Sequence, residues 1–270
     1  MKKIMPNDKC PCMSGKKYKF CCSNRQPFLE DIKHITGGDY IDCEYILSDV
    51  ESNSGIMKKY LNEILPSLRM KIIFAVNPSL NANMRSLGDD DGNFGIIIVK
   101  KVPIDPRDYF DLAHEFGHLL TKKKNYPVTR VHGVDVSAGT ILTNTLMDPM
   151  INRMLIDYGF DFITYLKKGF ALQSSIFERY PEEAHLELFQ RHFIKYLIIE
   201  KELEWQNVDE NVLKNEFKNI YAIKYPKLYK ESLDFIRYAK TVGMNSPEKV
   251  KACLSKLCSD NKMNNYIELR

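Results

Sequence analysis

Residues 105–121 read DPRDYFDLAHEFGHLLT, and His114, Glu115, Phe116, Gly117 and His118 within them form an HExxH sequence. Asp105 suits an N-cap, Pro106 the first helical position, and Asp108 adds an acid to the first turn. A helix is therefore predicted to open here and run to about Thr121, with Phe110, Ala113, Leu119 and Leu120 covering its buried faces. Histidines four positions apart project from one helical face, where a single metal ion can take both imidazoles. Glu115 beside them is a carboxylate base for water polarised by such an ion. That donor set is the one a zinc-dependent hydrolase needs.

Upstream, Ile56, Tyr60, Leu61, Ile64 and Leu65 recur at helical spacing, which predicts an amphipathic helix over residues 55–66 ending at Pro66. Residues 70–76 read as a strand and residues 94–100 as a second, more strongly β-branched one. Between them, residues 77–93 are polar and carry Gly88, the acidic run Asp89, Asp90 and Asp91, and Gly92. This order of helix, strands and metal-bearing helix resembles the zincin metallopeptidase fold, an α+β architecture with a small sheet. The resemblance implies an edge strand above the HExxH helix, to which an extended substrate adds by β-augmentation. Residues 94–100 are the candidate for a strand near that helix. Gly117 in the fourth motif position resembles the HExGH variant of intracellular members, including the IrrE/ImmA-like regulatory peptidases, which often cleave a repressor or toxin-linked partner.

Two histidines and a water leave one position to fill, and the zincin resemblance implies a downstream His, Glu or Asp. Asp148 is the preferred third ligand, in a helical stretch over residues 143–155, with Asn144 one turn earlier as a partner for it. Asp148 also precedes Pro149, the pattern of a helix N-cap, so both readings stand. Glu183, at the start of another helix, is the alternative ligand, although first-turn carboxylates commonly just complement the helix dipole. His132 and Tyr126 are candidates for stabilising the oxyanion, and Asp135 for orienting a ligand histidine. His185 and His192 read as surface or half-buried polar residues.

At the other end, Cys10, Cys12, Cys21 and Cys22 crowd into thirteen positions, too short a segment to build a hydrophobic core. A tetrahedral zinc would replace one. The segment CPCMSGKKYKFCC, residues 10–22, resembles the SEC-C motif, a small zinc hook at the C-terminus of the SecA translocation motor and on many other bacterial proteins. Met13 stands where that motif has glycine, and every ligand position is filled. The resemblance implies a structural zinc and recruitment of a protein or nucleic-acid partner. Lys16, Lys17 and Lys19 with Tyr18 and Phe20 then form the contact face, or the lysines are simply a solvated surface. Cys43, Cys253 and Cys258 read as free, buried thiols.

Hydrophobic residues at 44% and charged residues at 27% are ordinary for a globular protein. The net charge of +4 is concentrated at the N-terminus, where residues 1–25 carry seven basic side chains against Asp8 alone. No apolar run approaches the roughly 18 residues of a membrane span. The N-terminus lacks the apolar region of a secretory signal, and an odd cysteine count suits a reducing compartment, so a cytoplasmic location without membrane association is expected. The expected organisation is a zinc hook over residues 1–25, a linker over 26–40, a metallopeptidase core over 41–160 and a helical region over 161–270 that completes the domain. Helical patterns are read over 162–170, 182–204, 211–221 and 230–240, with Trp205 as a core or interface anchor. Together these readings predict a zinc endopeptidase with one catalytic and one structural Zn²⁺, Glu115 as its base and the hook as a recruiting module. The rival is a non-catalytic zinc protein that docks on protein or nucleic acid.

Overall fold

The two β-branched runs form parallel neighbours at the centre of a sheet. In the computed structural model, β2 (Lys71–Val76) pairs with β4 (Phe94–Val99), with Ile73 opposite Ile96 and Ala75 opposite Ile98. Outside them lie β1 (Asp39–Ile41), antiparallel to β2, and β3 (Met84–Gly88), antiparallel to β4, giving the order β1-β2-β4-β3. The strand read at residues 94–100 is therefore central, and the edge on its side is β3, inside the stretch read as polar. An edge strand has one neighbour to satisfy, so Arg85, Ser86 and Gly88 are tolerated there and the hydrophobic alternation is faint. The structure describes residues 5–88, 92–131, 136–168, 179–180, 182–205, 211–262 and 267–269.

Alternating residues of the central strands face two layers of helix. Ile73, Ala75, Ile96 and Ile98 meet Ile32 of α1 (Gln26–Thr36), with Phe28 and Leu87 packed beside them. On the opposite face Phe74 meets Phe116 of α4 (Tyr109–Lys123) edge-to-face, ring centroids 6.3 Å apart. Gly95 permits this approach, since a Cβ there would lie 2.6 Å from Leu119 Cδ1. Helix α2 (Cys43–Asn53) opens on Asp42, whose carboxylate accepts the N–H groups of Glu44 and Tyr45. Helix α3 (Gly55–Leu68) buries Met57, Tyr60, Leu61, Ile64 and Leu68 and continues two residues beyond Pro66. Ile56, counted in its apolar stripe, is 41% exposed. Asp105 caps as expected, but the chain first makes a 3₁₀ turn over Pro106–Asp108 before α4 begins.

The chain divides into two compact units, residues 1–123 and 124–270. Residues 26–40, read as linker, are α1 and β1: Pro27 lies in the helix's first turn, and Gly37, at φ +65°, is its left-handed C-cap, with its N–H donating to the Lys33 carbonyl. Pro27 and Gly37 are thus start and stop signals of a helix. The division falls after residue 123, and α5 (Val136–Tyr158) packs against the C-terminal helices.

In the second unit, α7 (Leu188–Trp205) lies between α5 and α9 (Pro226–Val242). Residues 162–168 (α6), α8 (Asn211–Lys224) and α10 (Pro247–Asp260) complete the helical set, and β5 (Thr129–Val131) pairs antiparallel with β6 (Ile267–Leu269). Trp205 is the expected core anchor, 2% exposed, with Phe217 at a ring-centroid distance of 6.1 Å. Among the described residues, no helix is long and apolar enough to cross a membrane.

Candidate metal centres

Cys10, Cys12 and Cys22 are buried and Cys21 half-buried, and none forms a disulfide. Cys12 Sγ lies 3.3 Å from Cys10 Sγ and 3.6 Å from Cys21 Sγ, and the Cys21 and Cys22 sulfurs are 3.8 Å apart. A tetrahedral zinc with Zn–S bonds of about 2.3 Å holds its sulfurs about 3.8 Å apart, so the four thiols fit that ion. Burial, then hydrogen bonding and repulsion from Cys10 and Cys12, push the Cys22 thiol far up, so by themselves these sulfurs favour the protonated form, and a bound cation would be what stabilises them as thiolates. The local fold explains the convergence. The Cys10 N–H donates to the Lys16 carbonyl at 2.8 Å, and the turn between carries Met13 and Gly15 at φ +67° and +73°. Ser14 adds a contact that spacing alone does not reveal: its hydroxyl lies 3.2 Å from Cys12 Sγ and 3.3 Å from Cys21 Sγ. A hydroxyl there can donate to thiolate and fix its direction.

The second candidate centre is on α4. His114 is 7% exposed and His118 half-buried, and their rings sit edge-on at 78° with centroids 4.7 Å apart, as one helical turn requires. Glu115 follows His114 and is half-buried. Asn83 donates to Asp111 at 3.1 Å just before β3, and the Lys122 ammonium donates to the Gly88 carbonyl at 2.5 Å at its end. The edge strand is thus fastened to α4 at both ends, with the histidines on the helix between the fastenings. A depression of about 450 Å³ beside the start of β3 is lined by apolar Met84, Val99 and Ile104 and by charged Lys100, Lys101 and Asp108.

The second unit decides between readings of the remaining carboxylates. Asp148 does not open a helix: α5 runs from Val136 to Tyr158 and Pro149 lies inside it, so the N-cap reading is lost. Asp148 and Asn144 are both half-buried, one turn apart on α5. Glu183 has another role. Its carboxylate accepts the backbone N–H groups of Leu228 at 2.8 Å and Lys227 at 3.2 Å, capping the first turn of α9. His185 is exposed beside Glu182 at 3.2 Å, and His192 is half-buried and stacked on Tyr196. Burial and then Glu248 raise the Tyr126 hydroxyl, keeping it protonated at neutral pH. His132 and Asp135 lie outside the described residues.

One polar group escaped the sequence reading. On α7, Lys201 pairs with Glu200 at 2.7 Å and Glu204 at 2.8 Å, and Asn152 of α5 donates to Glu204 at 2.7 Å. Burial, countered by Lys201 and reinforced by Glu204 and Asp148, pushes the Glu200 carboxyl up to about 7. Helical periodicity cannot flag such charges, because inward and outward acids look alike in sequence.

The chain matches no protein-family model, no curated protein and no solved structure in the comparisons made. Four converging thiols and a helical histidine pair, both compatible with zinc, are what the molecule itself provides.

Proposed function

We propose that the protein is a zinc-dependent metallopeptidase acting on an intracellular protein, with a zincin-like first unit. The observation that carries the reading is the antiparallel edge strand β3 fastened along the helix that bears His114, Glu115 and His118. His114 and His118 hold the ion, and Asp148 is the third ligand in this proposal; Glu183, its rival, is occupied as a helix cap. Zinc bound there would supply Lewis-acid polarisation of a water and of the scissile carbonyl. Glu115 takes the proton from the attacking water and returns it to the departing amine. The open edge of β3 offers main-chain N–H and C=O groups to an extended peptide, and the depression beside Met84 receives a side chain from it.

Glu115→Gln keeps the carbonyl geometry but removes the base. The variant is expected to bind zinc as wild type does and to lose peptide cleavage by at least about a hundredfold, the lower end of what a general base supplies. Undiminished cleavage by that variant sinks the assignment. A second reading, a non-catalytic docking protein, is favoured by the hook's surface. Phe20 is 71% and Met5 55% exposed, and the Lys19 ammonium sits 4.8 Å over the Phe20 ring. If the intact chain with zinc at the histidine pair cleaves no peptide while the hook binds a partner, this second reading replaces the first.

A further inference from the structure

We propose that the four-cysteine centre is a staple of the first unit's sheet, with its metal controlling whether β1 and the start of α2 are formed. This rests on the reading of the thiols as a zinc site. A tethered recruiting hook would contact the body of the protein little. Here three of the four sulfurs are buried, and Leu29 of α1 and Tyr40 of β1 pack against the cysteine cluster. The Cys12 carbonyl accepts the Asp42 N–H at 2.7 Å, at the point where β1 ends and α2 begins. On the other side, Cys22 opens a 3₁₀ turn over Cys22–Arg25 that runs without a break into α1. Tyr40 also packs edge-to-face on Phe28 of α1, ring centroids 5.8 Å apart.

Strand β1 has three residues and a single partner strand, too little pairing to persist alone. Its remaining support comes from α1 and the cysteine cluster, and the cluster has no core of its own without an ion. Metal binding and the ordering of β1 are therefore linked, and linkage is reciprocal: metal orders the strand, and an intact strand tightens metal binding. The centre works as part of the fold rather than as an appendage.

The test uses the intact 270-residue chain loaded with Zn²⁺ and the same chain stripped by a chelator, compared by amide hydrogen exchange, with metal content measured in parallel. Exchange over residues 39–46 is expected to rise at least tenfold on stripping, while α9 keeps its protection. A second measurement compares Asp42→Pro with Asp42→Ala. Both remove the helix-capping carboxylate, but only proline removes the N–H that Cys12 accepts; Asp42 has φ −65°, which proline adopts. Asp42→Pro should bind Zn²⁺ at the thiols about fivefold more weakly than Asp42→Ala, the loss of one hydrogen bond. Cobalt substitution, read through thiolate-to-metal absorption, reports that site separately from the histidine pair. Unchanged exchange over 39–46 after the thiol-bound metal is gone overturns the staple, as does equal loss of protection in α9, which means general unfolding. Native protein with no thiol-bound metal overturns the zinc assignment itself.

Discussion

The Tyr60 hydroxyl of α3 donates to the carbonyl oxygen of Ala113 on α4 at 2.9 Å, one residue before His114. Tyr60 is fully buried, so the bond is made away from water and sets how the two helices lie against one another. Tyr60→Phe removes only the hydroxyl and leaves no orphaned group in its place. It should lower the stability of the first unit by about 1 kcal/mol. If the bond also steadies the helix that carries the histidines, zinc at that pair will dissociate faster in the variant. Chemical denaturation and metal release measure the two effects separately.

Lys201 balances a buried cluster of acids. Its side chain is 13% exposed and that of Glu204 is 0% exposed, with Glu200 at 19%. Lys201→Met would leave the carboxylate of Glu204 buried without its counter-charge, with Asn152 donating to it and the Glu200 carboxyl nearby. Removing one partner of a buried pair costs about 3–5 kcal/mol, whereas replacing both partners by apolar groups is often near neutral. Lys201→Met should therefore unfold the second unit at a much lower urea concentration, and Lys201→Met with Glu204→Met should recover part of the loss. A single variant as stable as wild type would show that the charges do not depend on one another.

His192 gives the second unit an acid-side pH dependence. Burial, chiefly, holds its pKa below the ordinary histidine value, with Lys195 and Arg191 acting the same way and the Asn261 hydrogen bond and Glu231 opposing. A histidine held neutral in the folded state contributes stability that is present above the unfolded pKa of about 6.5 and fades as pH falls through it, because the unfolded chain then binds more protons. Glu200, raised to about 7, acts in the opposite sense over the same range, so the His192 contribution is read as a difference: between pH 7.5 and 5 the stability of wild type relative to His192→Gln should fall.

Met13 stands in the left-handed region at φ +67° in the turn between the cysteine pairs. A side chain there costs roughly 1 kcal/mol, which glycine avoids, while glycine's greater freedom in the unfolded chain returns part of the gain. Met13→Gly is expected to leave the zinc stoichiometry unchanged and to raise the midpoint for chelator-driven metal loss slightly. Weaker zinc retention would mean that the methionine side chain itself supports the hook.

The order in which these features became legible follows the range of the forces behind them. The HExxH helix, its Asp105 cap, the strands around Ile73 and Ile97 and the four-cysteine cluster are written in local chemistry: spacing, capping, β-branching and thiol density within a few residues. The edge strand β3 was missed because its pairing lies with β4 and its faces are only partly covered. Helix α1 was read as a linker because Pro27 and Gly37 look the same as loop residues until Phe28 and Ile32 are seen packed on the sheet. Asp148 was ambiguous for a similar reason, since Asp before Pro is also the pattern of a helix N-cap, and α5, packed on α7, runs on through Pro149. By itself the sequence determined which donors exist and that they are spaced for metal. Tertiary structure decided which carboxylate caps a helix, which strand lies over the histidine-bearing helix, and that the cysteine cluster packs against Leu29 of α1 and Tyr40 of β1. Those outcomes depend on burial and on contacts between residues far apart in the chain, which a local pattern does not contain.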